Sequence, residues 1–269
     1  MEPLESLPLT TRRHIRGVLF DIDNTLTTEG RLTAQAYTAM ERLKDTGLIV
    51  VPITGRPAGW CDHIARMWPV DGVVGENGAF YFRYEHDKRT MYKRFLQSEQ
   101  ERAENRRRLD ALRSTILAEV PGAGVASDQL YREADLAIDY CEDVPVLPPA
   151  EVERIVKIFE QGGATAKVSS IHVNGWFGNY DKLSMTRIMM RECFDIDLDA
   201  AKKFFLFIGD SPNDAPMFAY FPNAIGVANI RDFTDRLKTE PAYVTDVRCG
   251  AGFAAVAAVL LDTRLASSK

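Results

Sequence analysis

The chain has 269 residues, 46% hydrophobic and 26% charged, enough to build one large globular domain or two smaller ones. With 33 basic against 38 acidic residues the net charge is −5, which lacks the basic bias of a nucleic-acid binder and leaves a small molecule as the expected partner. Four scattered cysteines without a C-x-x-C pair suggest neither a zinc site nor a disulfide scaffold, and no run reads as a signal peptide or membrane span, so a cytoplasmic protein is expected, monomer or homodimer.

Short apolar runs, each followed by a polar turn and a helical pattern, recur along the chain. GVLF at 17–20 comes first, then a helix with Thr33 as N-cap, apolar Ala36, Met40 and Leu43 at helical spacing, and Gly47 to stop it. LIVVPI at 48–53 and GVV at 72–74 continue the series. Strands alternating with helices indicate βαβ units and a parallel sheet. From about residue 85 to 177 the texture changes: a charged helix near Ser98–Val120, an alternating run DLAIDY at 135–140, a helix over Pro149–Gln161, and a closing strand region AKVSSIHVNGWF. This order predicts a small α+β unit inserted into the α/β domain. Residues 178–269 return to the first style, with the helix YDKLSMTRIMMREC, the strand FFLFI at 204–208, short strands AIGVA and AYVT, and a last helix over Ala251–Leu261. The predicted fold is therefore α/β, a doubly wound, Rossmann-like parallel sheet formed by 1–84 and 178–269, with an inserted α+β cap over 85–177.

Open parallel sheets bind ligands at the carboxyl ends of their strands. Polar clusters follow three of the predicted strands: Asp21-Ile22-Asp23-Asn24-Thr25 after GVLF, Thr54-Gly55-Arg56 after LIVVPI, and Gly209-Asp210-Ser211-Pro212-Asn213-Asp214 after FFLFI. Lys182 opens a helix just beyond the insert. Asp21, Asp23, Asp210 and Asp214 in one crevice would crowd negative charge unless a cation offset it, and an all-oxygen ligand set suits magnesium. Thr54 and Lys182 suit the non-bridging oxygens of a phosphoryl group. Two carboxylates near one phosphorus can divide the work: Asp21 attacks in line, while Asp23 protonates the leaving oxygen and later activates water. That division needs Asp23 to carry a proton at the start, which a nearby phosphate dianion favours.

D-x-D-x-T, T-G-R, a following lysine and G-D-x-x-N-D, in this order, resemble the haloacid dehalogenase superfamily of phosphatases. N-G-A at 77–79 and an insert between the second and third motifs are similar to subfamily IIB, the Cof-like phosphatases of small phosphorylated metabolites such as sugar phosphates. The resemblance implies Asp21 as nucleophile, and Asp23 as acid/base and as metal ligand through its backbone carbonyl. It implies Thr54, Gly55 and Lys182 on the phosphate, Asp210 and Asp214 on magnesium, and Asn213 behind the metal. Asn24 stands where glycine is usual, a place asparagine tolerates because it accepts left-handed dihedrals. The lysine also lacks the glycine that often follows it.

Candidate substrate contacts are Arg56, Asn77, Arg132, and the alternating trio His172, Asn174 and Trp176. For that trio a half-buried strand with a polar outer face is an equal alternative, and for Arg132 a surface salt bridge is the stronger one. The run Arg106-Arg107-Arg108 reads as a solvated helix face. Together these features predict a magnesium-dependent phosphatase acting through an aspartyl-phosphate. A phosphomutase or phosphotransferase on the same core, or a receiver-like signalling domain, are the alternatives.

Overall fold

The computed structural model describes residues 1–265. Six parallel strands form the main sheet, in the spatial order Glu2–Pro3, Tyr243–Val244, Ala224–Gly226, Phe205–Gly209, Gly17–Phe20, Ile49–Pro52. After Gly17–Phe20 the chain builds towards one edge, and after Phe205–Gly209 towards the other. The ends of these two neighbours therefore form a switch point, where a doubly wound sheet opens a crevice. Alternate residues are buried on opposite faces, as expected of parallel strands covered by helices. Val18, Phe20, Leu206 and Ile208 pack with Met40, Leu43, Phe253 and Leu260 of helices Ala34–Asp45 and Cys249–Leu265. Leu19, Val51, Phe205 and Phe207 pack with Met185, Met189 and Met217 on the other side.

The predicted first helix holds in detail: the Thr33 hydroxyl accepts from the Ala36 N–H at 3.3 Å, and Gly47 beyond its end takes φ +80°. The insert carries helices Glu99–Glu119 and Pro149–Gln161 on a four-stranded antiparallel sheet, ordered Gly124–Val125, Asp135–Asp139, His172–Trp176, Thr165–Val168. A capping box between Ser98 and Glu101 starts the long helix. AKVSSIHVNGWF, read as one closing strand region, is two antiparallel strands with a turn over 169–171.

One boundary moves. The strands Phe80–Glu85 and Thr90–Phe95 form a hairpin that pairs with Val73–Gly75 as a three-stranded sheet. Phe80 and Phe82 are buried with Cys61 and Ile64 of the core helix Ala58–Met67, and Phe95 packs against them. Residues 85–95, assigned to the cap in sequence, thus belong with the core side, and the cap's own elements begin at the helix capped by Ser98. The HDKR turn offers none of the Asn-Gly chemistry that marks a two-residue hairpin loop. No helix among the described residues is long and apolar enough to cross a membrane.

Candidate active site

Asp21 leaves the end of Gly17–Phe20, and its N–H donates to the Ile208 carbonyl at 2.9 Å, so it is fixed across the switch point beside the strand that delivers Asp210. Asp214 lies one 3-10 turn later, and its Oδ2 accepts from the Asp210 N–H at 3.2 Å. Lys182 is the first residue of helix Lys182–Phe194, capped by Asp181 and Ser184. A cation there opposes the helix dipole. It is held by Asp21 Oδ1 and Asp214 Oδ1, each receiving a hydrogen bond from Nζ at 2.8 Å. Gly78 lets this helix start approach the N-G-A turn: at φ +107° a Cβ there would lie 2.0 Å from the Asp181 carbonyl oxygen.

The cluster is short of positive charge. Carboxylate oxygens of Asp21, Asp210 and Asp214, all buried, lie within 4.8 Å of one another, against the single ammonium of Lys182. Burial pushes Asp21 up to about 7 in spite of Lys182, with Asp214 and Asp23 adding to the rise. Asp210 is pushed well above the usual carboxylate range by burial and then by Asp21 and Asp214. Burial pulls Lys182 down, yet Asp21 and Asp214 more than reverse this and hold it protonated. Three buried oxygen donors with excess negative charge fit a hard divalent cation such as magnesium. Asp210 is also steadied by Thr25 Oγ1 at 3.4 Å and Asn229 Nδ2 at 3.3 Å.

The Asp23 carboxylate is not part of that cluster, as befits a residue expected to reach the metal through its backbone carbonyl. The turn swings it away, with Asn24 in the left-handed region at φ 57°, as its residue type allows. Asp23 instead accepts from Arg56 Nε at 3.0 Å and Nη2 at 2.9 Å. The same Nη2 donates at 2.9 Å to Glu142 of the cap, and Arg56 lies over the Trp60 ring. His172 Nε2, 2.8 Å from Glu142, and Arg56 together hold Glu142 down to about 2 despite its partial burial. Thr54 is fully buried, and its Oγ1 accepts from the Arg56 N–H at 3.0 Å, leaving its own hydroxyl proton to donate elsewhere.

Asp21, Asp23, Gly55, Arg56, Arg132, His172, Asn174 and Asn213 line one cavity between core and cap. Asn77, Trp176 and Lys182 line a second small cavity, also with Asn213. The face carrying His172, Asn174 and Trp176 is turned to the core and buried, so it is not a polar outer face, while Val173 packs under the cap helices. Asn174 Nδ2 donates to Asp135 at 3.0 Å, whereas Asn77 Nδ2 and Trp176 Nε1 are buried without a protein partner.

Arg132 is buried, not on the surface. Its guanidinium donates to Asp128 at 2.8 and 3.0 Å, to Asp135 at 2.9 Å and to the Gly55 carbonyl at 2.9 Å. Arg132→Ala would leave buried Asp135 without its cation and Asp128 with only the longer contact to Arg56, and should cost about 3–5 kcal/mol in chemical denaturation. A raised KM with an unchanged unfolding midpoint would instead make Arg132 a substrate contact.

Sequence reasoning misses the residues that join cap to core. Glu76 is wholly buried and accepts four backbone N–H bonds, from Ala58 (2.9 Å), Glu133 (2.8 Å), Ala134 (2.6 Å) and Asp135 (3.2 Å). Asn229 ties Asp210 to the Asn24 carbonyl, and Asp128 and Glu142 complete the arginine network. The bonds that join these residues to distant segments span 18 to 205 residues, which leaves no local pattern to find.

Residues 18–103 match the family of haloacid dehalogenase-like hydrolases. No curated protein matches the chain. Among solved structures, protein 0175 of Thermoplasma acidophilum is 21% identical, with 92% of this chain and 98% of that one covered at a TM-score of 0.69. The trehalose-6-phosphate phosphatase C-terminal domain of C. albicans is 14% identical, covering 94% and 95% at 0.69. The sucrose-phosphatase of Synechocystis, solved with sucrose and phosphate, is 15% identical, covering 91% and 98% at 0.62. These likenesses establish the fold, and the part of the chain that matches the haloacid dehalogenase-like hydrolase family includes the strand that delivers Asp21.

Proposed function

We propose that the protein is a magnesium-dependent phosphatase of a phosphorylated metabolite, working through an aspartyl-phosphate on Asp21. The observation that carries this reading is the buried acidic cluster at the switch point, with Asp21 held by Lys182 and Asp23 lining the same cavity. Magnesium, held by Asp21, Asp210 and Asp214, would offset their charge and that of the phosphoryl oxygens. Asp21 attacks phosphorus, forming an O–P bond as the bond to the alcohol oxygen breaks, and Asp23 gives that oxygen its proton. Asp23 then takes a proton from the water that releases phosphate. Lys182 and the Thr54 hydroxyl serve the phosphoryl oxygens.

To give a proton to the leaving oxygen, the Asp23 carboxyl must first leave its resting fork with Arg56. Arg56 also grips Glu142 of the cap, so opening the cap for substrate would break that contact. The structural likeness to a trehalose-6-phosphate phosphatase domain and a sucrose-phosphatase supports including sugar phosphates among the first esters to try. The direct test is release of inorganic phosphate by purified protein with magnesium from a panel of phosphorylated sugars, polyols, nucleotides and acids. Release from at least one ester, abolished by chelation, is expected; none from any member would refute the proposal. Migration of the phosphoryl group within a sugar, without free phosphate, would mark a mutase instead.

A further inference from the structure

The cavity at Asp21 and Asp23 measures about 20 Å³, room for roughly one water and not for the alcohol half of a phosphate ester. Ser169 and Ser170 of the cap and Ser211 of the core line both this cavity and a groove of about 650 Å³ between the two parts. A volume of several hundred Å³ is the size that receives an organic ligand. The shared neck is fixed on the cap side, where the Tyr140 hydroxyl donates to the Ser169 carbonyl at 2.7 Å. Beyond it the groove is walled by Leu147, Val152 and Val156 of the cap and by Pro212 and Phe233 of the core. At the rim Val146 and Val168 are 76% and 38% exposed, an unusual use of apolar side chains beside a polar site. Another cavity, of about 330 Å³, also reaches Asp23 and Arg56, but none of the three serines lines it.

Resting on the phosphatase reading above, we propose that this groove receives the alcohol portion of the substrate, a phosphomonoester whose alcohol carries an extended apolar segment. The leaving oxygen lies on the side of Asp23 and the cap, and the groove is the continuation of that side past the three serines. Its apolar walls can bury an extended chain, while the charged residues that also line it, Glu153, Lys157, Glu160 and Arg236, are solvent-exposed.

The test compares octyl phosphate with glycerol 2-phosphate, with magnesium present, in the wild-type protein and in Val156→Trp and Val152→Asn. The wild-type kcat/KM is expected to favour octyl phosphate at least tenfold, and each variant should reduce that preference at least tenfold, mainly through KM. A ratio near one in the wild type, or a ratio untouched in variants that retain the wild-type Tm, overturns the groove. If neither ester is turned over, the phosphatase reading fails separately. The groove is then judged by calorimetric binding of octyl phosphate to wild type and Val156→Trp: a tenfold weaker Kd in the variant supports it, and equal or absent binding overturns it.

Discussion

Asp21→Asn is expected to lower phosphate release by about four orders of magnitude or more while leaving the protein folded. The amide keeps the size of the side chain but cannot form the acyl-phosphate bond, and no other described carboxylate shares its place at the end of Gly17–Phe20. Stability should move the other way. In the folded, metal-free protein the Asp21 carboxyl is pushed up to about 7 from an ordinary value of 3.8, first by burial. A raised acid binds more protons folded than unfolded between these values, so stability falls as pH rises from about 4 to about 7 and the full penalty stands above that. The penalty is therefore fully present at pH 8 and absent below pH 4. In chelator, Asp21→Asn should therefore unfold at an equal or higher denaturant midpoint than wild type at pH 8 and show no gain at pH 4. A lower midpoint at pH 8 would mean that the carboxylate supports the fold rather than straining it.

Removing the cation is the second large effect. With chelator present, turnover should fall by about three orders of magnitude and return with added magnesium. Magnesium at 100 times its Kd should stabilise the protein by about 2.7 kcal/mol, since the folded state alone gathers the three carboxylates. It should also flatten the loss of stability between pH 4 and pH 7, because a bound divalent ion relieves the repulsion behind it. Asp210→Asn should lose most of the turnover and most of the thermal response to magnesium, while Lys182 keeps its bonds to Asp21 and Asp214. If wild type unfolds at the same temperature with and without magnesium over this range, the cluster is a proton-sharing site and not a metal site.

What could be read from the sequence was local. Asp21, Asp23, Thr54 and Asp210 stand at strand ends, where an apolar run stops at a polar turn, and the Lys182 helix carries its own cap. Those patterns need no knowledge of what lies opposite. The orientation of His172, Asn174 and Trp176 was half legible: alternation placed them on one face, and only the docked cap decides that this face meets the core. Arg132 shows the limit, since its bonds to Asp128 and Asp135 are short in sequence while its burial depends on Gly55 arriving from the core. Glu76 was invisible for the same reason: a buried glutamate inside G-E-N-G reads as turn composition until the cap brings its amides to it. Lysine at a helix start and acids crowded at strand ends break local rules of charge, and both departures fall on the site, where such conflicts are expected to collect.

A rapid acid quench during turnover of a radiolabelled phosphate ester, followed by peptide mapping, looks directly at the bond on which the proposed chemistry depends. Label on the peptide that contains Asp21, formed and lost faster than phosphate accumulates and missing from Asp21→Asn, is the predicted result. Phosphate released in a single turnover with no labelled peptide, or with the label on another residue, would contradict it.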